Sequence, residues 1–328
     1  MKKLLSIIIL CLGCLGILKA QNVWKSVNAP GYILAVDPNG YLYSTSFEMG
    51  GLSRSMDEGL TWQLVFSNET ITGGAHMTVS NQGRIYLVPE LFGEVFYSDN
   101  NGDIWHTSSM FPACLVEGMY AVSNDTLMIW GTDGCSTESL HFTLDGGATW
   151  CSANLGSLGE THHIGDVIAN ESGDVFVSFW SNNAQNDGIY RSDYTDMVHW
   201  DWELAAFPNV SIKDLEFDPD GNVVAVASAG EFNGFQQIPG FYLAGNAAES
   251  LGVADNGVVY LCNRHGSEAV LAYSQDQGAH FIEIGEPLVG ANGTLFRGRD
   301  NYLYYFSNNS HWKSFDEAGC FVYCLSSL

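Results

Sequence analysis

The sequence predicts an all-β fold made by repeating one four-stranded unit, and three observations support that prediction. Short segments in which apolar and polar residues alternate recur along the chain, as in β-strands. Pairs of these segments are joined by turns rich in Gly, Asn and Asp, which is the pattern of a β-hairpin. An eight-residue pattern ending in an aromatic residue occurs four times.

The hairpin pattern occurs seven times, at residues 32–44, 76–88, 120–130, 166–179, 215–227, 251–261 and 294–306. Its turns recur every 36 to 48 residues, with Gly40, Gly83, Thr126, Gly173, Gly221, Gly257 and Asn301 as markers. A period of this size with four strands per unit is typical of propeller blades. We therefore expect residues 21–328 to form a single domain, a seven-bladed β-propeller of four-stranded antiparallel blades.

The four octets share the pattern Ser/Thr-x-Asp/Asn-x-Gly-x-x-Trp/Phe. Their pattern residues are Ser55, Asp57, Gly59 and Trp62; Ser98, Asn100, Gly102 and Trp105; Thr143, Asp145, Gly147 and Trp150; and Ser274, Asp276, Gly278 and Phe281. Degenerate copies occupy residues 192–200 and 314–321. The octets resemble the Asp boxes of bacterial-neuraminidase-repeat propellers. That superfamily includes sialidases, some endoglucanases, sortilin-like receptors and non-enzymatic assembly factors. The resemblance implies that ligands bind on the face opposite the octets.

A structural role for the octets follows from their residue types. Asp57 can accept hydrogen bonds from backbone N–H groups of the turn. Gly59 permits a backbone conformation that other residues resist, and Trp62 supplies a large ring to bury beneath the turn. Turns are repeated in a repeat protein whereas active sites are not, so we interpret the octets as structural. Glu58 is not retained in the other copies, so its carboxylate is incidental.

The N-terminus has the layout of a secretory signal peptide. A basic start precedes an apolar run over residues 4–18, and cleavage is expected after Ala20. Lipid attachment at Cys14 is the alternative. We therefore expect a secreted, periplasmic or cell-surface protein without a membrane span.

Removal of residues 1–20 leaves nine basic and 37 acidic residues, a net charge of −28. Such a surface repels nucleic acid and anionic lipid, so no nucleic-acid partner is expected. Calcium binding is an open alternative. No cofactor is expected.

Two segments are alternative candidates for the strand that closes the ring, and blade 5 has an irregular sequence. Residues 23–27 resemble a fourth strand with no earlier strands, so we expect them to complete the last blade and remove an open edge. The alternative is that residues 320–324 provide that strand. Blade 5 lacks an octet, and Pro239-Gly240 is expected to form its tight turn.

Six cysteines remain after the leader, and an exported protein permits disulfides. Cys114 and Cys135 are equidistant from the turn at Asn124-Asp125, so they face each other on one hairpin. We expect them to form a disulfide worth about 3 kcal/mol. The other four cysteines remain unassigned.

Candidate ligand-binding residues lie in the connections of the opposite face, since functional loops are presented by a rigid scaffold. They are Glu160, His162, His163, Trp180, Arg264 and His265. Adjacent His162 and His163 point apart in an extended segment, so a zinc site is not expected. The partner is expected to be a glycan, a peptide or a protein.

Two enzymatic functions, a sialidase and a hydrolase of neutral glycans, are alternatives to this binding role. The resemblance implies that a sialidase has three clamping Arg residues, the first ahead of the first octet. Residues 21–53 contain no Arg. Hydrolysis of a neutral glycan needs only two opposed carboxylates, and acids are abundant. A non-catalytic binding protein is therefore the expected function, with a glycoside hydrolase as the alternative.

Overall fold

The computed structural model describes residues 24–46, 50–68, 71, 75–89, 94–109, 115–133, 137–181, 185–195, 200–227, 234–245, 248–265, 268–289, 294–298, 302–307 and 310–317. These residues form 28 strands and one short helix, α1, at Leu158–Thr161. The strands are β1 (Trp24–Ser26), β2 (Ile33–Val36), β3 (Leu42–Ser46), β4 (Gly51–Ser55), β5 (Gln63–Ser67), β6 (Ala75–Val79), β7 (Ile85–Pro89), β8 (Phe96–Ser98), β9 (His106–Thr107), β10 (Leu115–Ala121), β11 (Leu127–Asp133), β12 (Thr137–Thr143), β13 (Cys151–Ala153), β14 (His163–Ala169), β15 (Asp174–Trp180), β16 (Gly188–Asp193), β17 (Glu203–Ala206), β18 (Ile212–Phe217), β19 (Val223–Ala227), β20 (Gly234–Ile238), β21 (Phe241–Gly245), β22 (Ala248–Val253), β23 (Val259–His265), β24 (Glu268–Ser274), β25 (Ile282–Val289), β26 (Thr294–Arg297), β27 (Tyr302–Ser307) and β28 (Ser310–Glu317).

The described strands assemble into seven four-stranded sheets. Sheet 1 contains β2–β5, sheet 2 contains β6–β9, sheet 3 contains β10–β13, sheet 4 contains β14–β17, sheet 5 contains β18–β21, sheet 6 contains β22–β25, and sheet 7 contains β1 and β26–β28. In sheets 1 to 4 and sheet 6, neighbouring strands follow chain order and are antiparallel.

The turn between the first two strands of a sheet is fixed by its own polar side chains. In sheet 1, Asp37 Oδ1 accepts the backbone N–H groups of Asn39 and Tyr41, at 2.9 and 3.0 Å. In sheet 5, Asp218 Oδ1 accepts those of Asp220 and Asn222 in the same way. These Asx turns explain why Asp and Asn mark the hairpins in the sequence.

The described residues form seven hydrophobic core clusters, and each lies between two consecutive sheets. The cluster of sheets 3 and 4, for example, joins Phe142 to Val167 and Phe179. The cluster of sheets 7 and 1 joins Tyr304 and Phe306 to Leu42. Because both surfaces of a sheet face a neighbour, inner strands such as β19 are buried at every residue. Burial of aliphatic and aromatic area between sheets is the dominant stabilising term.

The N-terminal strand completes the last sheet. β1 is antiparallel to β28, with Trp24 opposite Ser314, Lys25 opposite Lys313 and Ser26 opposite Trp312. The chain therefore contributes to sheet 7 from both ends, as expected from residues 23–27. Residues 320–324, the alternative closing strand, lie outside the described residues.

Sheet 5 departs from the expected antiparallel order. Its turn at Pro239-Gly240 joins β20 to β21, but β21 lies beside β19 and is parallel to it, so β20 forms the outer edge. Gly240 has φ +83°, and its carbonyl accepts the Val223 N–H at 2.9 Å. The prediction that every blade is fully antiparallel is wrong here, because the chain reaches the outer position before it returns to the inner one.

Several sequence predictions lie outside the described residues. They include the signal peptide over residues 1–20, lipid attachment at Cys14, and the Cys114–Cys135 disulfide. No helix in the described part of the chain has the length and apolarity to cross a membrane.

Candidate functional site

The sheets present two different surfaces. The turns between first and second strands and the four octets lie at one end of the strands, which we call the octet face. The other end, the opposite face, carries the remaining connections, including the start of β12 and β14 and the end of β15. The two faces have different chemistry.

Each octet forms the same hydrogen-bonded turn. In the first, the Asp57 carboxylate accepts the N–H and the hydroxyl of Thr61 at 2.8 and 2.6 Å. The Ser55 hydroxyl donates to Asp57 Oδ1 at 2.9 Å and accepts the Gly59 N–H at 2.8 Å. Corresponding bonds occur around Asn100, Asp145 and Asp276. The hydroxyl and the carboxylate or amide side chain of each octet are therefore engaged within the turn itself.

The octet glycine and aromatic ring also join one sheet to the preceding one. A Cβ atom on Gly59 would lie 2.5 Å from Val27 Cγ1, and one on Gly147 would lie 2.6 Å from Ser108 Cβ. The Trp150 indole N–H donates to the Ser109 carbonyl at 3.0 Å. Trp62 is half-buried rather than fully buried as expected. Its indole N–H donates to the Asn28 carbonyl in the preceding connection.

Arginine side chains on the octet face are engaged in ion pairs. The pairs are Arg54–Asp103, Arg84–Asp99, Arg191–Asp174 and Arg297–Asp255, at 2.5 to 2.8 Å. The Arg84 guanidinium contacts both carboxylate oxygens of Asp99, and this hydrogen bonding raises its pKa. These four arginines do not converge on a clamp for an anionic sugar. The Arg264 side chain and Arg299 lie outside the described residues.

The residues expected to bind ligand are distributed over two sheets. Glu160 lies on α1 and is exposed, whereas Arg264 and His265 end β23 in sheet 6 and have no described side chains. His162 is buried, with its Nε2 2.7 Å from the Gln185 carbonyl oxygen. It therefore points into the protein, away from the side chain of His163.

His163 and Trp180 come together at the opposite face. They are opposite each other on β14 and β15, and their rings stack with centroids 4.5 Å apart and an interplanar angle of 28°. Trp180 is 38% exposed although most large apolar side chains are buried. An exposed, immobilised indole face is a platform for planar or cationic groups.

Two glutamates that the sequence analysis did not select complete this cluster. His163 Nδ1 lies 2.8 Å from Glu138 Oε1, and Glu138 is only 5% exposed. Glu117 lies at a bulge between Val116 and Gly118 on β10, and bulges re-aim side chains. We call Glu117, Glu138, His163 and Trp180 the acidic–aromatic cluster.

The electrostatics of the cluster are unbalanced. Glu138 Oε2 is buried and has no hydrogen-bond partner among the residues that the structure describes. Partial desolvation raises the pKa of the Glu117 carboxyl, the Glu138 carboxylate raises it further, and His163 lowers it. A buried carboxylate oxygen without a donor is costly, so a positive charge bound beside it gains free energy.

Only a weak signal in the amino-acid sequence marks these two glutamates. Both lie near the opposite-face ends of strands rather than in a loop, and neither belongs to a repeated motif. Placing acids at the first residues of β10 and β12 requires the strand boundaries, which a hydropathy pattern defines only coarsely. Within the described residues, no group of three His, Cys, Asp or Glu side chains is arranged to hold a metal ion.

Comparisons with known proteins reveal likeness in structure alone. No protein-family model matches the chain, and no curated protein matches it in sequence. A streptogramin B lyase structure is 13% identical, with a TM-score of 0.65 over 88% of this chain and 96% of that chain. YCF48 bound to D1 peptide is 14% identical, with a TM-score of 0.57 over 90% and 96%.

A third similar structure is the extracellular domain of the one-component system BT4673 from B. thetaiotaomicron. It is 14% identical, with a TM-score of 0.61, covering 90% of this chain and 40% of that chain. These structures are β-propellers with different roles, and at such low identity the likeness concerns the fold. The chain therefore has a β-propeller fold, and its function depends on the residues of its own faces.

Proposed function

We propose that residues 21–328 form one seven-bladed Asp-box propeller, exported by residues 1–20, that binds a peptide, protein or glycan without transforming it. The observation that carries the proposal is the acidic–aromatic cluster, whose exposed Trp180 ring and buried Glu138 lie on the opposite face. The polar side chains of the octets and most of the arginines are hydrogen-bonded or ion-paired within the protein. Few polar groups on the octet face are therefore available to a ligand.

A peptide or protein segment is the favoured partner. The structurally similar YCF48 was solved bound to D1 peptide, which supports a peptide-binding role for a propeller of this size. A glycan is the second candidate, because sugar rings stack on exposed indoles. Both ligands would contact Trp180.

Glycoside hydrolysis is the alternative function, and one observation favours it. Glu117 has a raised pKa beside a second carboxylate, which is the pattern of a general acid and its partner. Against this, Glu138 is shielded from solvent and bonded to His163. A carboxylate in that position lacks the access to substrate that a nucleophile or base requires.

The test is a screen of the chain from Gln21 against peptide arrays, glycan arrays and chromogenic glycosides. We expect saturable binding and no turnover. Trp180→Ala should abolish most of the binding with an unchanged melting temperature. Leu60→Ala, which removes a side chain 74% exposed on the octet face, is the matched control and should bind normally. Turnover that depends on Glu117 would replace the proposal with the hydrolase.

A further inference from the structure

The acidic–aromatic cluster has a specific chemical requirement. It combines a buried carboxylate oxygen that lacks a donor, a second carboxylate close enough to interact with the first, and an exposed aromatic platform. A neutral sugar brings hydroxyl donors but no charge to balance the two carboxylates, and an acidic peptide adds a like charge. The missing partner is a positive charge with several N–H donors and a planar face.

We propose that the acidic–aromatic cluster recognises the guanidinium group of an arginine side chain in a peptide. This inference rests on the proposed function, since it names the ligand chemistry of the same face. A guanidinium is planar, stacks on indole rings and presents five donors in a fixed fork. Its charge is matched by Glu117 and Glu138.

The geometry assigns a role to each member of the cluster. Trp180 provides the stacking face, and its ring is held in position by the His163 ring. Glu117 is exposed and provides the accessible carboxylate. Glu138 is held by His163 through Oε1 and adds a buried negative charge to the cluster. His163 therefore positions both the stacking ring and this charge.

The rest of the chain supports selection of a cation. The net charge of −25 attracts basic peptides and repels acidic ones over the range of the Debye length. The arginines described on the octet face are already paired with carboxylates, so they do not compete for the cluster. Specificity, in contrast with this general attraction, must come from the cluster itself.

The test compares N-acetyl-arginine methylamide with its citrulline counterpart, which has the same shape and no charge. Binding to the chain from Gln21 is followed by calorimetry or saturation-transfer NMR at millimolar ligand. We expect the arginine compound to bind about tenfold more tightly, the effect of one charge-assisted hydrogen bond. Glu117→Gln, Glu138→Gln and Trp180→Ala should each weaken arginine binding by about tenfold.

The control for general charge is Asp220→Asn. Asp220 is exposed in the turn of sheet 5 on the octet face, and this change removes one negative charge remote from the cluster. It should leave arginine binding unaltered. Melting temperatures show whether each variant is folded, and Glu117→Gln keeps the test decisive if Glu138→Gln does not fold.

Three results would overturn the inference. They are equal binding of the arginine and citrulline compounds, no binding of either, or an equal loss in Asp220→Asn and the cluster variants. If the arrays nevertheless yield a ligand that depends on Trp180, the inference fails and the proposed function stands. If no ligand depends on Trp180, the proposed function fails as well.

Discussion

At the scale of single residues, the protein holds two sets of carboxyl groups whose pKa values move in opposite directions. In the octets, hydrogen bonds to Thr61 and Thr149 lower the pKa of Asp57 and Asp145, and one from Ser274 lowers that of Asp276 to about 2. Between sheets 4 and 5, burial raises the pKa of Asp166 and Asp214. The octet aspartates therefore favour the ionised form, whereas Asp166 and Asp214 favour a proton shared between them.

The lowered pKa of Asp276 predicts a dependence of stability on pH. A carboxyl whose folded pKa is depressed stabilises above the ordinary carboxyl pKa, and this contribution is lost as pH falls through the lowered value. Asp276→Asn should therefore melt below wild type at neutral pH, and the gap should narrow as pH falls towards about 2. Thermal melts across this range measure the gap.

The second octet provides the reciprocal variant, because Asn100 already occupies the acidic position. Asn100→Asp should raise the melting temperature at neutral pH and steepen its fall in acid. A gap between Asp276→Asn and wild type that stays constant with pH would contradict the account.

The pair formed by Asp166 and Asp214 predicts the opposite trend. Asp166 and Asp214 accept the N–H groups of Leu215 and Leu251 on the next sheets, at 3.0 and 2.8 Å, and Lys213 is the nearby cation. A carboxyl whose folded pKa is raised stabilises below its unfolded pKa, and this contribution is lost as pH rises through the folded value. Wild-type stability should therefore decline as pH rises from acid through that value.

Asp166→Asn should remove most of that decline, because its amide donates permanently where the shared proton donates in the wild type. Melting temperatures of both chains across mildly acidic to alkaline pH provide the measurement. A decline of unchanged slope in the variant would show that the pair does not control it. Asp276→Asn, which lies outside the pair, should keep the decline.

At the scale of elements, each octet packs its own sheet against the preceding one. Gly59 has φ +85° and no room for a Cβ atom beside Val27, whereas Gly83 has φ +92° and open space. Their comparison separates the backbone conformation from the contact between sheets. A left-handed conformation costs a residue with a Cβ about 1 to 2 kcal/mol.

Gly83→Ala should therefore lose about 1 to 2 kcal/mol of unfolding free energy. Gly59→Ala should lose about 1 to 3 kcal/mol more, because its Cβ overpacks the contact with Val27. Chemical denaturation of both variants gives the difference. Equal losses would mean that the octet does not join sheets 7 and 1 as described.

The elements also show what the sequence can and cannot predict. Turn residues such as Asp37 and Gly59 act locally, so hairpins and octets were recognisable from the sequence. The parallel placement of β21 beside β19 pairs strands that are not consecutive in the chain, and no short-range sequence signal specifies it. The acidic–aromatic cluster joins β10 and β12 of sheet 3 to β14 and β15 of sheet 4, so its glutamates meet His163 and Trp180 only after the two sheets pack.

At the scale of the whole molecule, the proposed ring depends on one short strand from the N-terminus. β1 pairs with β28, and the cluster between sheets 7 and 1 contains Val27, which follows β1 directly. Without this pairing, β28 would be an unpaired edge strand of sheet 7. Sheet 1 would also lose part of its contact with sheet 7. An unprotected edge promotes association with other chains.

The most direct test of the closed ring is a designed disulfide between β1 and β28. The backbone positions of Lys25 and Lys313 are opposite each other in the pairing of β1 with β28. Lys25→Cys with Lys313→Cys should oxidise to an intramolecular disulfide, identified by mass spectrometry of a non-reduced digest. Closing so long a loop should add up to about 5 kcal/mol of stability.

Lys25→Cys with Asp316→Cys is the matched control, since three residues along an extended strand place position 316 about 10 Å from the paired position, beyond disulfide reach. The closed ring predicts a cross-link in the first variant and none in the second. Absence of the 25–313 disulfide, or its formation only between separate chains, would contradict closure of the ring by β1.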